Sequence, residues 1–138
     1  MGVRAHGFLL TVAATATITT AACLTEPANL LTGQRAGRPI LLDARGTEVR
    51  LEFPCMKALL PSLRLDAGGH FEASARITWV SFAGLDSRAV LRVSGDVAGA
   101  DMTLAVRYVS PSFTAAEPER YTLRLGAPAD FSGIGCLA

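Results

Sequence analysis

Two histidines, three cysteines and a scatter of acidic residues in turns hold most of the chemistry that this chain of 138 residues could perform. His6 falls in an apolar leader, so His70 is the histidine that the folded body would keep. An imidazole titrates near neutral pH and suits acid–base work or metal binding. His70, however, stands beside Gly69 in an expected turn, and a His-based zinc site would need ligands that the sequence does not place near it. Ser94-Gly95-Asp96 carries a serine, but no G-x-S-x-G motif or strand-turn-helix setting surrounds it, as a nucleophile elbow would require. Asp96 and Asp101 bracket one expected hairpin and could share a calcium ion; aspartates that bond their own turn backbone are the commoner case. Glu117 and Glu119 flank Pro118, and such a pair could serve glycoside chemistry only across a cleft of set width. No phosphate-cradling loop or dinucleotide fingerprint is present. We therefore expect no catalytic residue, no metal and no cofactor, and a protein that is not an enzyme.

The cysteines point elsewhere. Residues 1–22 read as an export signal: Arg4 supplies the charge, Gly7 to Ile18 a mildly apolar core, and small residues precede Cys23. The segment is too short and too rich in Thr for a good membrane span, which needs about 20 mainly apolar residues. Thr20-Ala21-Ala22-Cys23 resembles the bacterial lipobox, departing from it at Thr20, where Leu is usual. The resemblance implies that Cys23 becomes the first residue and carries lipid, with the membrane as a partner. Two or more acyl chains are what stable attachment requires. Leu24 lacks the Asp that can retain lipoproteins at the inner membrane, so an outer-membrane envelope location is expected if the source is diderm; the alternative is simple cleavage after Ala22, which leaves a secreted or periplasmic protein. The remaining two cysteines, Cys55 and Cys136, are then free to pair. A disulfide closing a loop of about 80 residues is worth roughly 4 kcal/mol in the chain-entropy model, and it needs an oxidising compartment.

The elements that must position these groups are strands. From His70 to Val109 apolar residues fall on alternate positions: Phe71, Ala73, Ala75, Ile77, Trp79; then Ala89, Leu91, Val93, Val97; then Met102, Leu104, Val106, Tyr108. A period of two sends neighbours to opposite faces. Gly99 supplies the positive φ that a tight hairpin between the last two runs needs. Val49, Leu51 and Phe53 alternate in the same way, as do Tyr121, Leu123 and Leu125. Ile40 to Leu42 and Ser62 to Leu65 read as short strands, and Cys55 to Pro61 as a compact crossing with room for one helical turn. Residues 23–39 read as a tether to the lipid, and 40–138 as a single β domain. The fold expected is all-β, a small antiparallel barrel or sandwich of about seven or eight strands.

Composition narrows the function. Without Arg4 the basic and acidic counts are equal at 12 each, from 13 and 12 in the whole chain, which gives no footprint for nucleic acid. The outward arginines Arg50, Arg64, Arg76, Arg92, Arg107 and Arg124 read as a solvated exterior, the alternative being a seat for an anion. Trp79, Phe82 and Phe113 are the candidate ligand-binding residues, since they would rim a barrel mouth if the end of the first long strand lies beside the Ser110–Glu119 loop. The reading is an exported, lipid-anchored envelope protein that binds a small apolar ligand in the lipocalin manner. The alternative is a protein-binding module, such as a hydrolase inhibitor or an accessory subunit of an envelope complex. Small lipoprotein lysozyme inhibitors look similar in size, leader and disulfide. Ser94-Gly95 is similar to the serine-glycine of one of their motifs, although the tyrosine expected shortly afterwards is missing and Val97 follows Asp96.

Overall fold

A computed structural model describes residues 29–81 and 85–136. Cys23, Phe82 and the leader lie outside the described residues. Eight strands run in chain order: β1 (Gly33–Gly37), β2 (Ile40–Ala44), β3 (Val49–Phe53), β4 (Met56–Leu60), β5 (His70–Val80), β6 (Val90–Ala98), β7 (Asp101–Val109) and β8 (Glu119–Leu125). Each pairs antiparallel with the next, and β8 returns to β1, so the sheet closes into a barrel. Of the barrel and sandwich expected from the sequence, the barrel is the one formed. Closure satisfies the backbone groups that an open sheet would leave on its edges.

Strand length follows apolar alternation. The β6–β7 ladder runs through nine pairs, from Val90 opposite Val109 to Ala98 opposite Asp101, and turns at Gly99 with φ +61°. The seam between β1 and β8 is far shorter: Arg35 faces Leu125 and Ala36 faces Arg124. The interior holds Ile40, Leu42, Leu51, Leu60, Leu91, Met102, Leu104 and Leu123, all fully buried. At roughly 25 cal/mol per Å² of apolar surface removed from water, this filling is the main force holding the barrel shut.

Three sequence expectations need correction. The tether was expected to run to Pro39, but Gly33–Gly37 is β1 and Leu31 is buried against Leu63 at the closed end. The segment Gly33-Gln34-Arg35-Ala36-Gly37 has no apolar alternation; its strand exists because β2 and β8 flank it with paired backbone. The Cys55–Pro61 crossing, with its possible helical turn, is instead strand β4, which pairs residue for residue with β3 across a tight turn. Ser62–Leu65, expected as a strand, contributes one bridge, Arg64 to Leu30. That bridge, with Leu31 N–H donating to the Leu63 carbonyl at 2.8 Å, lays the first described residues across the bottom of the barrel.

Candidate site at the open end of the barrel

The closed end lies under Leu31 and Leu63; among the described residues, the other end stays open. There the β1–β2 turn, the β3–β4 turn, the β7–β8 loop and the C-terminal tail surround a cavity of about 360 Å³. Leu91 and Val106 form its floor, while Phe53, Met56, Tyr108 and Tyr121 make its walls and Ile134 of the tail leans in from the rim. Phe53, Met56 and Tyr108 are the last inward-facing positions of their strands at this end, and on β8 Glu119 lies beyond Tyr121 on the same face. The Phe53 and Tyr121 rings pack tilted, with centroids 5.6 Å apart, a favoured aromatic arrangement.

Few polar side chains line the cavity. Glu117 and Glu119, both exposed, line the rim, and the Tyr121 hydroxyl donates to the Glu119 carboxylate. Burial, the bond to Glu119 and the Glu119 charge all push the Tyr121 phenol far above its ordinary range, so it remains a neutral donor. The two carboxylates of the sequence do meet in one cavity. Both face water, and glycosidic chemistry needs one carboxyl in dry surroundings to serve as the acid.

Cys55 and Cys136 are joined, with Cα atoms 5.3 Å apart, as the sequence implied. The bond pins the tail at the β3–β4 turn and so carries Ile134 to the rim.

Of the expected ligand residues, Trp79 and Phe113 do not line this cavity. Trp79 was expected to face inward at the mouth, and this is corrected by a bulge. Lys57 faces Trp79, yet the next residue, Ala58, faces Ile77, which leaves Thr78 as an extra residue on β5. Its hydroxyl bonds the Lys57 carbonyl at 3.2 Å. One extra residue inverts the alternation beyond it. Val80 therefore takes the inward place opposite Met56, and Trp79 stands on the outer wall, 47% exposed. Phe113 also does not line the cavity. It sits 61% exposed on the β7–β8 loop, its ring 6.2 Å from Tyr108. That loop is compact rather than slack: Ser110 N–H donates to the Phe113 carbonyl at 2.7 Å, and the Ser110 hydroxyl accepts from Phe113 N–H at 3.0 Å. Met56 and Tyr108 were missed as mouth residues, because alternation tells which face a residue takes but not which end of the barrel it reaches.

Other chemical candidates resolve into pairs. His70 Nδ1 lies 2.9 Å from Asp96 and Nε2 3.5 Å from Glu72, clamping the start of β5 to β6. Asp101 pairs with Arg124 at 2.9 Å, whereas Asp96 pairs with His70. Gly95 is required by packing, since a Cβ there would overlap the buried Phe71 ring. The hydrogen bond to Asp96, followed by that to Glu72, raises the His70 pKa above its ordinary 6.5. A raised folded value means that this ion pair stabilises fully below pH 6.5 and that its contribution is lost as pH rises through the elevated value. We expect NMR titration to place His70 above 6.5 and Asp96→Asn to lower it; a value unmoved by that substitution would discount the pair.

Among the outward arginines, Arg124 is neutralised by Asp101, whereas Arg92 and Arg107 stand directly opposite one another on β6 and β7. Arg120, which the sequence pattern did not single out, joins them from β8. The chain matches no family model, no curated protein and no solved structure.

Proposed function

We propose that this protein is a non-catalytic binding module of the cell envelope, exported and held to a membrane by lipid on Cys23, that takes a small apolar ligand at the barrel mouth. The apolar cavity at the open end carries this reading. Its size lies within the range of about 300–1,000 Å³ common to small-molecule sites, and its mix of apolar walls with a few convergent polar groups fits that class. The ligand would be short, because the interior beneath Leu91 and Val106 is filled by side chains, unlike the deep calyx of a lipocalin. The Tyr121 and Glu119 pair, with Glu117, would favour a ligand whose polar end donates hydrogen bonds. The disulfide supports an oxidising compartment and hence export.

The uncharged fluorophore N-phenyl-1-naphthylamine, apolar with one N–H donor, tests the reading. We expect its emission to rise on binding. Ala115→Trp, which fills the mouth from a loop position, should abolish the rise without shifting the unfolding midpoint, and Trp79→Ala on the outer wall should leave it intact. Equal binding by the Ala115→Trp protein, or none by the parent, would end the proposal. A second reading, the protein-binding module, draws on Phe113 and Trp79, two large aromatic side chains left exposed. Such residues are typical anchors of protein interfaces.

A further inference from the structure

On the outer wall, across the β7–β8 loop from the mouth, a groove of about 700 Å³ runs over β5 to β8. Its floor is made of short side chains. In one cross-strand row Glu72 faces Ser94, which faces Ala105; in the next, Ser74 faces Arg92, which in turn faces Arg107. Arg120 lies opposite Ala105 and closes the first row. Pro118 and Thr114 of the loop overhang the same groove.

The gathering of three arginines in one recess distinguishes this place, since Arg50, Arg64 and Arg76 also have no ion pair among the described residues but stand apart from it. Arg45, Arg88 and Arg124 each have an aspartate partner. Among the described residues, Arg92, Arg107 and Arg120 have no ion pair within 4.0 Å and no side-chain hydrogen bond. Glu72, the one carboxylate lining the groove, lies 3.5 Å from His70 Nε2. Like charges placed directly opposite one another on neighbouring strands destabilise a sheet. Arg92 and Arg107 do so with nothing between them, over a floor too short to fill the space. Three arginines and two serines lining one recess supply the donors that the oxygens of a tetrahedral oxyanion take.

We propose that this groove is a phosphate-binding site, independent of the apolar mouth, in which Arg92, Arg107 and Arg120 hold the anion and Ser74 and Ser94 add hydroxyl donors. The phosphate could belong to a soluble ester or to the headgroup of an anionic phospholipid, and the two sources separate by experiment.

The protein would be titrated with inorganic phosphate while backbone amide shifts are followed, and its binding to phosphatidylglycerol vesicles compared with that to phosphatidylcholine vesicles. Amides of Ser74, Ser94 and Ala105 are expected to move with phosphate. Saturation by free phosphate with no preference for phosphatidylglycerol assigns a soluble ester; a preference for phosphatidylglycerol that phosphate competes away assigns the headgroup. Replacing all three arginines, Arg92→Gln, Arg107→Gln and Arg120→Gln, should weaken binding by about tenfold or more, and removing the repulsion should leave the fold at least as stable. A second variant, Arg50→Gln, Arg64→Gln and Arg124→Gln, removes the same net charge elsewhere and should bind as the parent does. Equal weakening in both variants, or neither phosphate shifts nor a vesicle preference in the parent, overturns the proposal.

Discussion

Replacing Gly37 by Ala should destabilise the barrel by at least about 3 kcal/mol, among the largest effects of any single methyl group in this chain. The reason lies at the seam. β1 and β8 share two residue pairs, Arg35 with Leu125 and Ala36 with Arg124, and Gly37 is the next residue along. A Cβ on Gly37 would overlap the carbonyl oxygen of Thr122, and this obstacle is backbone rather than a side chain that can rotate away. Thr122 is itself held opposite Thr103 in the β7–β8 ladder, so it cannot yield without loosening a second pair of strands. The new methyl must therefore push β1 outward, and a seam of two pairs has little to lose before it opens. Urea denaturation would read the effect as a lower midpoint, and hydrogen exchange should quicken first in β1 and β8. Gly135→Ala, which meets nothing within 4 Å, is the control. A midpoint that stays in place for Gly37→Ala would show that the strands are not apposed as described.

Removing the disulfide with Cys55→Ala and Cys136→Ala should cost about 2–3 kcal/mol, less than the chain-entropy model gives. The bond spans 81 positions, for which that model assigns roughly 4 kcal/mol. The discount comes from what holds the tail once the bond is gone. Residues beyond β8 rest on few contacts: Gly126 N–H to the Gln34 carbonyl at 2.9 Å, Ala127 N–H to the Arg124 carbonyl at 3.2 Å, Asp130 N–H to the Gly37 carbonyl at 3.4 Å, and Arg38 Nη2 to the Ser132 carbonyl at 3.1 Å. Ile134 is already 37% exposed. Without the link, the tail can fray while the barrel stays folded, and the native state regains part of the entropy that the unfolded chain gains. We expect tail amides to lose protection while those of β5 to β7 keep theirs. The mouth should bind its probe more weakly, because Ile134 no longer holds the rim. A loss of 4 kcal/mol or more, estimated by the same model, with tail and barrel unfolding together, would mean that the tail is integral to the core.

How far the sequence reached depends on the kind of information each feature needs. β5, β6 and β7 were legible because Phe71, Ala75, Leu91, Val93, Met102 and Leu104 alternate over long runs, and a strand buried on one face has no other pattern available. β4 was obscured by Pro54 before it and Pro61 after it, and by Leu59 beside Leu60, which blurs the alternation. β1 carried no signal at all. Its Ala36 is buried and its Arg35 is 6% exposed, so burial there comes from neighbours and not from composition. The mouth was misplaced through Trp79 for a local reason, a single bulge at Thr78, and bulges depend on the partner strand.

By itself the amino-acid order determined a β protein with a pairable Cys55 and Cys136, because alternation and cysteine parity are properties of a single chain read locally. The tertiary structure decided the rest. It closed the sheet into a barrel, sealed one end beneath Leu31 and Leu63, and brought Phe53, Met56, Tyr108 and Tyr121 to the open end. It also set Arg92, Arg107 and Arg120 together on the outer wall. Each of these outcomes turns on register between strands far apart in sequence, and register is fixed by the joint packing of all eight strands rather than by any one of them.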